Sequence, residues 1–159
     1  MPAKPNQPAE PAPDGEIVST RVLATPRDEV FAAFSDASRL AQWWGPEGFT
    51  NIFHAFDFRP GGVWRFTMRG PDGAAYDMDK QFAEIARPER IVLRHFQQGH
   101  GFTLTMLFGA HRDGTIITWR MRFDDPAECA RVRAFVIPAN EQNLDRLAAH
   151  LSAQPKGTQ

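Results

Sequence analysis

The chain has one cysteine, Cys129, so it cannot form an internal disulfide. That fits a reducing compartment. It has a single tyrosine beside 13 phenylalanines and 4 tryptophans, so most of its aromatic surface carries no hydroxyl. At a net charge of -1 it lacks the basic excess that binding to nucleic acid or to an anionic membrane surface demands. No apolar run reaches the roughly 20 residues of a membrane-spanning helix, and the first residues hold no apolar signal core. The expectation is a cytoplasmic protein without membrane insertion and without nucleic acid as a partner. There is no glycine-rich phosphate cradle, no nucleophile-elbow serine and no Cys/His metal spacing, so the sequence calls for no cofactor and no metal.

What is present is ordinary globular material, 42% hydrophobic and 23% charged over 159 residues. One domain is expected over residues 16–153, preceded by a proline-rich tail at 1–15 and followed by a flexible end at 154–159. The tail holds Pro2, Pro5, Pro8, Pro11 and Pro13, the first four at the three-residue period of a polyproline II helix. Its readings are a disordered tail or a ligand for a proline-recognition groove.

Glu16 to Ala24 reads as a first strand. Thr25 is placed to cap a helix whose first turn holds Pro26 and Asp28 and which buries Val30, Phe31 and Phe34. Asp36 is placed to cap a second short helix ending at Trp43-Trp44-Gly45-Pro46; either one tryptophan packs inward while Trp44 covers the mouth of whatever lies beneath, or both plug a corner. A run of strands follows. Ile52, His54, Phe56 and Phe58 alternate onto one face, as do Trp64, Phe66 and Met68, and Ile91, Leu93 and His95. In Tyr76 to Ile85, alternation that turns Tyr76, Met78 and Phe82 inward carries Lys80 and Glu84 with them unless a bulge intervenes. The clearest pair is Phe102-Leu104-Met106-Phe108 and Ile117-Trp119-Met121-Phe123, joined by an Asp113-Gly114 hairpin signal.

The long last segment, Pro126 to Leu151, carries an apolar stripe of Val132, Phe135, Val136, Ala139, Asn143, Leu144, Leu147 and Leu151. Asp125 caps it with Pro126 at the first position, Glu128 completes a capping-box spacing, and Pro138 is expected to kink it or split it after Val136. The fold class is therefore α+β, with a curved antiparallel sheet of about six to seven strands wrapped on one long C-terminal helix and two short helices after the first strand.

Five features in order carry a resemblance. They are the order of elements, Trp43-Trp44-Gly45-Pro46, Arg59-Pro60-Gly61-Gly62, Glu84-Ile85 leading to Arg87-Pro88-Glu89-Arg90-Ile91-Val92, and Leu144-Asp145-Arg146-Leu147. Over roughly Ile17 to Ser152 the chain resembles the START-like (SRPBCC) superfamily. Within it, the chain resembles the family named for the activator of heat-shock protein 90 ATPase homologue. The resemblance implies a helix-grip (START-like/Bet v 1-like) fold with a cavity between sheet and last helix, where superfamily members hold lipids, polyketides or other apolar molecules. The family's last helix often carries a Gly-Trp pair where this chain has Ala139 and Asn140.

On that basis the expected partner is a small hydrophobic molecule. Its walls are Phe56, Trp64, Phe66, Met106, Trp119 and Phe135, its orienting groups His54, His95 and Asn140, and its lid Trp44. Two alternatives stand beside it. One is a polyketide cyclase- or hydrolase-like enzyme using His54 or His95 as acid/base in the same pocket. The other is a chaperone-partner or stress-response interaction module, which needs an exposed apolar patch. A homodimer is a further candidate assembly. His100, His111 and His150 are expected at the surface, and so are Asp77, Asp79, Arg120 and Arg122.

Overall fold

The computed structural model describes residues 14–154; the proline-rich segment 1–13 and residues 155–159 lie outside the described residues. Strand β1 (Glu16–Leu23) is followed by helices α1 (Arg27–Ser35) and α2 (Ala37–Trp43). Six more strands come next: β2 (Thr50–Phe56), β3 (Val63–Arg69), β4 (Ala75–Ala86), β5 (Arg90–His95), β6 (Phe102–His111) and β7 (Gly114–Phe123). Helix α3 (Pro126–Ala153) closes the chain. The strands form one antiparallel sheet in the order β1-β7-β6-β5-β4-β3-β2. The expected helix-grip architecture is therefore what the chain adopts.

Alternation accounts for the inner face of β3, β6 and β7. Trp64, Phe66, Leu104, Met106, Phe108, Ile117 and Trp119 are all buried on it. On β2, alternation misleads. Phe53 pairs with Phe66 but Ala55 pairs with Arg65, so His54 is an extra residue at a bulge. The bulge turns Phe53 and Phe56 inward and leaves Ile52 62% exposed. A second bulge on β4, between Phe82 and Glu84, keeps Lys80 and Phe82 inside and turns Glu84 out.

Helix α3 runs unbroken through Pro138 rather than splitting there. Asp125 caps it through the Ala127 amide. Its buried stripe is Cys129, Asn140, Asn143, Leu144, Leu147 and Leu151, with Val132 and Val136 half-buried. Phe135 is one position, about 100° of helix, away from Val136, and stands 73% exposed. Arg21, on β1, ties the helix to the sheet through Glu141 at 3.0 Å and Asp145 at 2.9 Å.

Other local expectations also change. Thr25 does not cap α1; Pro26 occupies the cap position, and the Thr25 carbonyl instead accepts from Thr115 Oγ1. Glu128 does not close a capping box but accepts from His100 and Arg131. His150 is buried rather than at the surface, and its Nε2 accepts from Arg39 Nε.

The end of α2 is held by α3. Arg146 Nη1 donates to the carbonyls of Trp44, Gly45 and Pro46 at 3.2, 3.0 and 2.9 Å, and Nη2 to that of Gln42 at 2.9 Å. Asn143 Nδ2 donates to the Trp43 carbonyl, and Asn51 Nδ2 to those of Ala41 and Trp44. Those of Ala41, Gln42 and Trp43 are helix-end carbonyls without an intrahelical partner, and those of Trp44, Gly45 and Pro46 follow directly after the helix. Gly45, at φ +101°, lets the chain leave the helix, and a Cβ there would sit 2.6 Å from Met68 Cε. Arg146→Met is expected to lower the unfolding free energy by about 2–4 kcal/mol in urea titration. Arg146→Lys should restore only part of it, because one ammonium cannot span four carbonyls. A wild-type midpoint for Arg146→Met would contradict this role.

Candidate functional site

Register across the sheet assembles one row of inward side chains: Phe56, Trp64, Lys80, His95, Phe102 and Phe123 on β2 to β7. Above the row sits Trp44. Both tryptophans of the Trp43-Trp44 pair turn inward, so Trp44 is no surface lid; it is 6% exposed. The chain turns extended at Trp44, at φ -66° and ψ 135°, which frees consecutive side chains from helical divergence. Trp43 packs on Phe34 and donates through Nε1 to the Ala33 carbonyl. Trp44 packs on Trp64 and Trp119 with ring centroids 5.0 and 5.4 Å away.

The indole N–H groups of Trp64 and Trp119 are buried and make no hydrogen bond within the protein. Buried donors nearly always have partners, so two beside one another's ring neighbour mark this interior as chemically unusual.

Lys80 lies at the centre of the row and is 4% exposed. Its Nζ is 3.1 Å from His95 Nδ1 and 5.0 Å from the Phe102 ring centroid, with the rings of Trp44 and Phe66 each 6.0 Å away. His95 Nε2 meets Gln97 Oε1 at 3.1 Å, and its ring stacks near Phe102 at 4.7 Å. Gln97 accepts, which places the imidazole proton on Nε2 and leaves Nδ1 to accept from Lys80. Burial pulls the Lys80 ammonium down to about 7. Burial first, then the charge of Lys80, pushes His95 down to about 4 against the opposing Gln97 hydrogen bond.

The loop after β5 lies against the start of α3. It is pinned there by His100, which meets Glu128 in the helix's first turn, and by the Asp124 amide donating to the Gly101 carbonyl. Phe53, Met78, Phe102, Val132 and Val136 are only half-buried around the core.

Of the ten residues expected from sequence, Trp44, Trp64, Phe66, His95, Met106, Trp119 and Asn140 are buried and Phe56 is half-buried on the inner face. Asn140 Nδ2 lies 3.4 Å from Met121 Sδ. Two are elsewhere. Phe135 faces away from the sheet, and His54 is on the opposite face because of its bulge. There His54 Nε2 lies 2.8 Å from Thr67 Oγ1, whose hydroxyl donates to Asp77 Oδ1 at 2.9 Å. The hydroxyl proton goes to the carboxylate, so His54 donates and activates nothing. Two clefts, of about 620 and 470 Å³, lie on this same outer face, the first beside Arg120 and Arg122 and the second beside His54 and Asp77. Of the inward row, Lys80, Phe102 and Phe123 are not among the site residues expected from sequence. The signal for Lys80 was its alternation with Met78 and Phe82.

A seven-stranded antiparallel sheet gripping a long C-terminal helix, with two short helices inserted after the first strand, defines a START-like helix-grip protein. Residues 24–152 match the family "Activator of Hsp90 ATPase homolog 1-like protein", and the chain belongs to it. Similar solved structures include a Rhodobacter sphaeroides protein, 18% identical with a TM-score of 0.82, covering 92% of this chain and 97% of that one. A Chromobacterium violaceum protein is 25% identical with a TM-score of 0.75, over 84% and 95% of the two chains. An AHSA1 protein from Silicibacter pomeroyi is 22% identical with a TM-score of 0.70, over 86% and 97%. No curated protein matches the chain. Among the described residues no helix is long and apolar enough to cross a membrane.

The low Lys80 value has a consequence for stability. Between about pH 7 and pH 10.5 the unfolded chain holds the Lys80 proton and the folded chain does not. Stability therefore rises with pH across that window, by up to about 1.4 kcal/mol per pH unit. Urea unfolding from pH 6.5 to 10 should show this rise in the parent and lose it in Lys80→Met. Equal slopes in the two proteins would contradict a buried, deprotonating Lys80.

Proposed function

We propose that this protein is a receptor for a small, largely apolar molecule held between the sheet and α3, which enters beneath the first half of that helix. The observation that carries this reading is the pair of buried, unpartnered indole N–H groups of Trp64 and Trp119 flanking Trp44. Leaving a buried donor unpaired costs about 1–3 kcal/mol, so a guest with an acceptor on an aromatic or isoprenoid body gains at this position what the protein forgoes. Aromatic walls supply area and stacking. The half-buried Val132 and Val136 supply a seam that can open without disturbing the Arg146 clamp further along the helix.

A hydrolase or cyclase chemistry needs a base poised near neutral pH. His95 is held low by burial and already accepts from Lys80, and His54 is on the other side of the sheet. Neither histidine therefore supplies the base that the enzyme reading names, and binding is the favoured reading. A protein-interaction role draws its one support from the exposed Phe135 and Ile137 on α3.

Native mass spectrometry separates these readings. The receptor reading predicts a monomer that carries a discrete excess mass, either as purified or after incubation with fatty, isoprenoid and aromatic polyketide-like compounds. That mass is lost on denaturation and reduced in Trp64→Phe and Trp119→Phe. A bare mass under all these conditions would overturn it. A dimer that dissociates in Phe135→Ser would instead favour the interaction role.

A further inference from the structure

Lysine is rare in this chain. There are three, Lys4, Lys80 and Lys156, and Lys80 is the only one within the described residues. Arginine supplies every other cation that bonds across the fold. Arg21 pairs with two carboxylates, Arg94 with Asp124, Arg120 with Glu16, and Arg146 with four carbonyls. The interior thus receives a lysine, which can shed its proton, where an arginine would stay charged. It also receives it without a counter-charge. No carboxylate pairs with Lys80 among the described residues, and its only hydrogen-bond partner is the neutral His95 imidazole.

A buried charge without a partner is costly, and a buried cation next to a bound anion is not. The groups whose charge bears on this pair are few. His95 touches Lys80 from β5, Arg94 and His100 act on His95 from farther off, and the rings of Phe66 on β3, Trp44 just after α2 and Phe102 on β6 face the ammonium. The Gln97–His95 chain takes one Lys80 N–H and fixes its direction, which leaves the remaining donors for a guest. One cation matches one negative charge, and the aromatic surround matches an apolar body.

We propose that Lys80 is the anion receptor of the interior, and that the ligand class is a small apolar monocarboxylate bound with uptake of one proton. This rests on the receptor reading above and specifies its ligand. The free protein keeps Lys80 largely uncharged above neutral pH; the bound carboxylate recharges it, so acid and proton enter together. His95 orients the amine and does not titrate in that range.

The test uses the full chain with four probes, naphthalene-2-acetate, decanoate and the neutral amide of each, by isothermal titration calorimetry at pH 8.5. Repeating each titration in two buffers of different ionisation heat counts protons. The expected result is that one or both acids bind at least about tenfold tighter than their amides, a gap of about 1.4 kcal/mol, with close to one proton taken up. The amides bind with no uptake. Lys80→Met should lose both the preference for acid over amide and the proton uptake. Acids and amides bound alike, or acids bound without uptake, would overturn the anion role while the receptor reading stands. Retained preference in Lys80→Met would also overturn it. Binding of none of the four would overturn both. Should Lys80→Met fail to fold, the proton count on the unaltered chain decides alone.

Discussion

The Arg146 guanidinium, pressed against four backbone carbonyls, is the contact on which the rest of the interior depends. It gathers the loose end of α2 onto α3, more than a hundred residues later in the chain. With Asn143 and Asn51 it leaves the carbonyls of Trp43 and Trp44 satisfied, so the two tryptophans can both turn inward. Trp44 then stands between Trp64 and Trp119, with its ring 6.0 Å from the Lys80 amine. Remove the clamp and the aromatic cluster loses its ceiling, not only four hydrogen bonds.

Much of this was legible in the sequence. The Trp43-Trp44-Gly45-Pro46 stop, the strict alternation of β6 and β7, and the capped C-terminal helix together specify a curved sheet on a helix. What the sequence hid came from places where one residue shifts a face. The bulge at His54 moved a histidine that alternates with apolar neighbours to the outer surface, and it let Phe53 and Phe56, three apart, share the inner one. Phe135 fits a three-four spacing on paper, yet the buried line runs through Cys129, Val132, Val136 and Asn140, which leaves it about 100° out. The carbonyl clamp of Arg146 left no trace in local pattern, because its partners are backbone atoms.

Lys80 is the more instructive case. Alternation placed it inside with Met78 and Phe82, together with Glu84 unless a bulge intervened, and lysine is seldom found buried. The structure resolves the conflict with a second bulge that ejects Glu84 and keeps the lysine. A folded protein that retains an amine without a counter-charge and two unpaired indole N–H groups in one aromatic interior forgoes stability there. Local departures from good packing chemistry of this kind concentrate where a protein binds something. Membership in the activator of Hsp90 ATPase homologue family sets the scaffold, and these few side chains give this chain its individual chemistry.

Whether that interior admits a guest is most directly read from the two indoles themselves. Tryptophan side-chain N–H resonances, assigned by single Trp→Phe replacements and followed while naphthalene-2-acetamide is added, report each donor separately. The Trp64 and Trp119 signals should move together and saturate, while that of Trp43, already bonded to the Ala33 carbonyl, should stay nearly fixed. Unmoved Trp64 and Trp119 signals, with shifts confined to surface residues, would contradict a binding site between the sheet and α3.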